Sequence, residues 1–131
     1  MNLENEFVPY EQALALKELG FDELCFGWYQ HKLIVDKEYS ILEFEKCKNK
    51  ESWITGNHCS APTYSQAFRL FREKYDIYYV IEGSKKFGFQ HTIYDEKETY
   101  EIKSEKTYNT YEEAELECLK KLIEIVKDAK K

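Results

Sequence analysis

The stretch 110–129, TYEEAELECLKKLIEIVKDA, limits the possible folds more than any other part of the chain. At 100° per residue, Ala114, Cys118, Leu119, Leu122, Ile123, Ile125, Val126 and Ala129 spread over roughly half the circumference of a helix. That is wider than the stripe of a helix lying on one surface. Such a helix needs cover on two sides, or it leaves apolar surface for a partner or a second copy. Thr110 followed by Glu113 spells a capping box, which fixes where the helix begins. Glu112, Glu113, Glu115 and Glu117 crowd its start, where the helix dipole stabilises negative charge. Glu115 projects into the apolar arc, where either the open end of the core or a polar partner such as Arg69 or Arg72 is expected.

A helix of this kind belongs to a chain with one real core. At 131 residues, with 43% hydrophobic and 16% aromatic residues, the chain is long enough for a single domain and too short for two enzymatic ones. Apolar runs are only a few residues long and the start, MNLENEFVPY, lacks the basic and apolar regions of a signal peptide, so no membrane association and a cytoplasmic setting are expected. Cys25, Cys47, Cys59 and Cys118 have no framework spacing and read as reduced thiols. The net charge of −6 argues against a general nucleic-acid or anionic-membrane binder.

In chain order, a first helix is expected from residue 9 to about 19, with Pro9 in its first turn, Gly20 as its left-handed stop and Phe21 folding back on its last turn. Residues 24–47 read as two or three short strands, and 47–60 as a surface loop around an anchored Trp53. APTYSQAFRLFREKY, 61–75, is the second helix, with a capping box at Thr63 and Gln66 and a face of Tyr64, Ala67, Phe68, Phe71 and Tyr75. Strands at 77–82, 87–94 and 99–103 follow, the first pair joined by a hairpin loop at 83–86. Ile77, Tyr79, Ile81, Phe87, Phe89, His91, Ile93, Tyr100 and Ile102 would share one sheet face, and Tyr78, Val80, Thr92 and Tyr94 the other. The expected architecture is a single α+β domain over 1–131, with antiparallel sheets, three main helices and the last helix central. YEQALALKELGFD and YSQAFRLFREKYD share Tyr, Gln, Ala, Leu and Asp at matching places, which suggests a helix-plus-strands pseudo-repeat, 9–47 and 63–104.

The order α-β-β-β-α over 63–129 resembles the double-stranded RNA-binding domain, including a threonine-capped last helix with Ala114 and Cys118 as small inward residues. The RNA-binding residues of that family are missing: Tyr111, Glu112 and Glu115 stand where it has lysines, and the first hairpin lacks Gly-Pro-x-His. Carboxylates there repel a phosphate backbone. FVPYEQALALKELGFDE, APTYSQAFRLFREKY and YEEAELECLKKLIEIVK are similar to the most recognisable blocks of a family of small hypothetical proteins of bacteriophages, prophages and their bacterial hosts. That resemblance implies a phage or mobile-element setting and brings no catalytic residues.

Among the residues that could carry chemistry, His58 and Cys59 come first. A thiolate near a helix start beside an imidazole can act as a nucleophile, but no orienting Asp or oxyanion device is recognisable, and the favoured reading of the pair is a loop histidine and a cysteine tucked under Trp53. Cys47, His58 and Cys59 offer three metal ligands without the short Cys-x2-Cys spacing of a structural zinc site, so no metal and no cofactor are expected. His91, between Phe89 and Ile93, reads as a hydrogen-bonded, half-buried sheet residue. Eleven tyrosines are the remaining signal, since tyrosine is favoured at recognition surfaces. Tyr78 and Tyr94, then Tyr29, Tyr39 and Tyr108, are expected at the surface, with Arg69 and Arg72 looking outward from the second helix. These features favour a non-enzymatic accessory protein acting through contacts with another protein or with itself. A divergent nucleic-acid-binding domain is the alternative, and a thiol enzyme using Cys59 and His58 is third.

Overall fold

The computed structural model describes residues 3–34, 37–97 and 99–129, with the backbone alone at 3–4, 31–34 and 37–39. The fold is α+β. Among the described residues three α-helices accompany two antiparallel three-stranded sheets. The chain divides into two compact units, Met1–Ala67 and Phe68–Lys131.

In the first unit, α1 (Tyr10–Glu18) follows Pro9, which occupies the cap position at φ −58°. The helix ends as its sequence dictates. Gly20 takes φ 93°, its amide donates to the Lys17 carbonyl (3.0 Å), and the Phe21 amide reaches back to Leu16 (2.9 Å), which is the Schellman pattern. Phe21, Leu16, Leu19 and Ala13 are buried. Strands β1 (Trp28–Ile34) and β2 (Lys37–Glu43) form an antiparallel pair, so the expected meander contracts to two longer strands.

The segment expected as a loop, 47–60, is tied down at both ends. Cys47 exchanges backbone hydrogen bonds with Cys25, and β3 (Cys59–Ser60) pairs with Trp28 and Tyr29 on β1. Its anchor is Asn49 rather than Trp53: the Asn49 amide donates to the Phe21 carbonyl and accepts from the Ser60 amide, both at 2.8 Å. Trp53 is 39% exposed and lies edge-on to Trp28. Ile54 supplies the buried apolar contact instead.

The unit boundary falls within α2 (Tyr64–Lys74). The helix starts three residues later than its sequence suggests, because Ala61 and Pro62 are used by the first unit's backbone: the Ala61 amide donates to Gly27, and Pro62 accepts from Val8. Thr63 and Gln66 close the expected capping box reciprocally (3.0 and 3.3 Å).

In the second unit, β4 (Ile77–Ser84), β5 (Gly88–Asp95) and β6 (Glu101–Lys103) make a sheet in that order. The hairpin turns at 85–87, with Ser84 opposite Gly88. Phe87 therefore sits at the tip, 76% exposed, and not on the core face where alternation places it. Residues Ile77, Tyr79, Ile93 and Ile102 do face inward, and Phe68 of α2 stacks on Tyr79 at 4.0 Å. Helix α3 (Tyr111–Ala129) is capped by Thr110, whose hydroxyl accepts from the Glu113 amide (3.1 Å), and it packs on β4 and β5. Ala114, Cys118, Leu119, Leu122, Ile123 and Val126 are buried. Ile125 is only half-buried and Ala129 is exposed, so the wide apolar arc is open at its carboxyl end.

Both units lead from helix to strands, but their strand orders differ. In the first, β1 is central and β3 arrives after the long segment; in the second, β5 is central. Among the described residues no helix is long and apolar enough to cross a membrane.

Candidate functional site

The thiol suggested as a nucleophile is sealed. Cys59 has no exposed surface, and burial pushes its thiol up to about 12, only partly opposed by the charge of Lys17. The neighbouring imidazole turns elsewhere: His58 packs edge-on against Trp28 (5.5 Å), and its carbonyl accepts from Lys17 Nζ (2.7 Å). Cys25 and Cys47 are equally enclosed, at about 12 and about 11, chiefly by burial. Among the described residues no three His, Cys, Asp or Glu side chains converge as metal ligands.

The tyrosines divide. Tyr29 is interior, 9% exposed, with its hydroxyl donating to the Val8 carbonyl (2.7 Å), which corrects its expected surface position. The Tyr39 side chain lies outside the described residues. Tyr78 and Tyr94, directly opposite in the β4–β5 register, stack at 5.8 Å on the outer sheet face as alternation requires. Arg69 and Arg72 are half-buried on α2. Arg72 and Glu115 both lie near the Tyr79 hydroxyl, whose pKa is raised by burial, Tyr111 and Glu115 and lowered by Arg72.

Around the Tyr78–Tyr94 pair the second unit carries two concavities that meet at Tyr100. One, of about 640 Å³, lies at the open end of α3, with Ile77, Ile102, Ile125 and Val126 in its wall and Tyr75 beside them. The other, of about 420 Å³, lies on the outer sheet face against Val80, Thr92 and Tyr94. Alternation places Tyr100 with the core residues, but β6 begins only at Glu101, so the parity fails and the ring stands between the two hollows.

Their rims are acidic. Asp76, Asp95 and Glu96 line the first and Glu82 and Glu101 the second; Lys97 is the one lysine among the described residues lining either. The acids are positioned by local backbone. Asp76 takes φ 57°, a left-handed conformation that aspartate tolerates, and accepts from the Tyr78 hydroxyl (3.4 Å). Asp95 closes the β5–β6 turn, accepting from both the amide and the hydroxyl of Thr99, and these bonds hold its carboxyl below the usual range. The phenols respond in the opposite sense: desolvation, then Asp76 and Glu96, raise Tyr78, and desolvation with Asp95 raises Tyr100. One cation is already in place nearby, the Lys74 ammonium 5.5 Å from the centre of the Tyr75 ring.

An apolar floor, phenol walls and a carboxylate rim complement a lysine or arginine side chain. Its methylene stem packs on the rings while its charge meets the rim. Sequence alternation brings Tyr78, Val80, Thr92 and Tyr94 together. It misses Asp76, Asp95 and Glu96, which lie at or beyond the strand ends and which only the folded hairpins bring beside Tyr100. Comparisons with models of protein families, with curated proteins and with solved structures give no match for this chain.

Proposed function

We propose that this protein is a small cytoplasmic, non-enzymatic binding module whose second unit docks a cationic, apolar-flanked segment of a partner protein. The observation that carries this reading is the pair of concavities meeting at Tyr100, rimmed by Asp76, Glu82, Asp95, Glu96 and Glu101. Desolvated aromatic floors ringed by polar residues are where binding energy concentrates in protein interfaces. The sealed Cys59 thiol also supports a reading in which binding, not nucleophilic chemistry, is the activity. The likeness of three sequence blocks to small phage and prophage proteins supports a phage or mobile-element setting for the protein.

A fluorescent peptide alternating lysine and leucine is a direct probe. It should bind the protein with an affinity that falls as salt rises, and Glu82→Lys with Glu101→Lys should weaken it by about tenfold. An alternating glutamate and leucine peptide should not bind. Equal affinity in the doubly substituted protein would refute the assignment of the face.

One observation favours a second reading. The order α2-β4-β5-β6-α3 is that of a nucleic-acid-binding domain. Glu112 and Glu113 at the start of α3 oppose it, and a mobility shift with duplex RNA at low salt, lost as salt rises, would be needed to sustain it.

A further inference from the structure

The surface between β6 and α3 has a different chemistry from the acidic rim. A cleft of about 470 Å³ is lined by His91 of β5, by Ser104, Lys106 and Tyr108 of the segment after β6, and by Lys120 and Lys121 of α3. His91 is 5% exposed, and its Nδ1 is buried without a hydrogen-bond partner among the described residues. Its ring lies parallel to Tyr108 at 6.2 Å, and its backbone is locked to Ser104 by two bonds: the His91 amide donates to Ser104 Oγ (3.2 Å), and the Ser104 amide donates to the His91 carbonyl (2.9 Å). Desolvation lowers the pKa of the imidazole, with Glu117 opposing and Lys121 reinforcing. A buried nitrogen without a partner is uncommon in a native fold and calls for an explanation.

The carboxylates of the cleft are largely spoken for. Glu117 accepts from Lys120 (3.1 Å) and Glu124 from Lys121 (3.4 Å), while the Lys106 ammonium lies 5.4 Å from the centre of the Tyr108 ring. Glu105 also lines the cleft, as does Lys103, which pairs with Glu101 at 3.9 Å. An ammonium has three N–H donors, so a lysine bonded to one carboxylate keeps others for a ligand. The lining thus offers ammonium donors from two sides and hydroxyl donors from Ser104 and Tyr108, above a neutral histidine.

We infer that this cleft binds a small phosphate-type oxyanion, held by Lys106, Lys120 and Lys121 over the His91–Tyr108 pair. The partner-docking face requires cations and this cleft requires anions, so the two sites are separable by experiment.

Inorganic phosphate is the probe. Titrated into the isotope-labelled full chain with chloride exchanged to keep ionic strength constant, it should shift the His91 ring and Tyr108 resonances along a saturable curve with a midpoint of about 1 mM. Lys120→Met with Lys121→Met should raise the midpoint by about tenfold or more, whereas Lys85→Met with Lys86→Met in the hairpin turn should leave it unchanged. Acetate tests charge without phosphate geometry and should act far more weakly. Shifts that never saturate, an unchanged midpoint in the Lys120 and Lys121 variant, or equal responses to phosphate and acetate would each overturn the assignment. Unaltered backbone spectra in both variants establish that the fold is intact.

Discussion

The native protein should be inert to thiol reagents despite four cysteines. Cys25, Cys47, Cys59 and Cys118 each have at most 1% of their surface exposed, and desolvation raises them from an ordinary 9.0 to about 12, about 11, about 12 and about 12. Only the thiolate attacks, so a rise from 9.0 to about 12 alone lowers the reactive fraction near neutrality by roughly a thousandfold. Enclosure adds to this, because the reagent must reach the sulfur and can do so only when the surrounding structure opens. At pH 8 an aromatic disulfide reagent should give almost no immediate colour with folded protein, and all four thiols should react at once in guanidinium. The same shifts govern alkaline stability. Each thiol binds its proton more tightly in the folded than in the unfolded chain, so the resulting stability is complete below about pH 9 and is lost as pH rises from there towards 12. Denaturant midpoints should therefore decline across that window, and less so when Cys118 is replaced by alanine. Rapid stoichiometric labelling of Cys59 in the folded protein would refute this reasoning and revive the thiol-enzyme reading.

Three stability predictions probe the rest of the framework. Asn49→Ala removes both hydrogen bonds that tie the 47–60 segment and leaves the Phe21 carbonyl and Ser60 amide without that partner; a loss of about 2–4 kcal/mol is expected in chemical unfolding, and a loss under about 0.5 kcal/mol would show that the segment is held elsewhere. Gly83→Ala meets both a φ of 140° and a clash of the new Cβ with the backbone oxygen of Gly88, so it should cost more than about 2 kcal/mol and lower the thermal midpoint. Thr110→Ala deletes the cap of α3 and should cost about 1 kcal/mol, with Thr110→Ser restoring most of it.

Much of the fold was legible where local chemistry decides the outcome. The Schellman end at Gly20 and Phe21, the caps at Thr63 and Thr110, and the stacking of Tyr78 on Tyr94 each follow from residues close in sequence or from strict alternation. In the first unit, hydrogen bonds to distant residues override local pattern. Ala61 and Pro62 have the composition of a helix start, yet Gly27 and Val8 claim their polar groups. Cys59 and Ser60 look like loop because a two-residue strand carries no period, and only pairing with β1 defines it. Tyr29 looks like a surface tyrosine until the Val8 carbonyl provides a buried acceptor for its hydroxyl. The candidate site was less legible still: alternation puts Glu82 on the face of Tyr78 and Val80, but Asp76 and Glu96 lie outside the strands, and only the folded sheet sets Glu101 opposite Tyr94.

The last helix links the fold to the proposed binding. Its apolar arc exceeds what β4 and β5 can cover, and the structure resolves the excess by burying the arc from Ala114 to Val126 and leaving Ile125 and Ala129 toward the Tyr100 hollow. Filling that hollow from within would need only a larger side chain at Ala129, at little cost to an exposed helix end. Ala129→Trp should therefore leave stability nearly unchanged while occluding the apolar floor, and it should weaken binding of the lysine–leucine peptide by about tenfold, as reversing the rim charges does. The two perturbations differ in their salt dependence. Charge reversal at Glu82 and Glu101 should flatten it, whereas occlusion at Ala129 should weaken binding at every salt concentration alike. If Ala129→Trp leaves the peptide bound, the peptide lies on the outer sheet alone and the hollow at the end of α3 plays no part in docking.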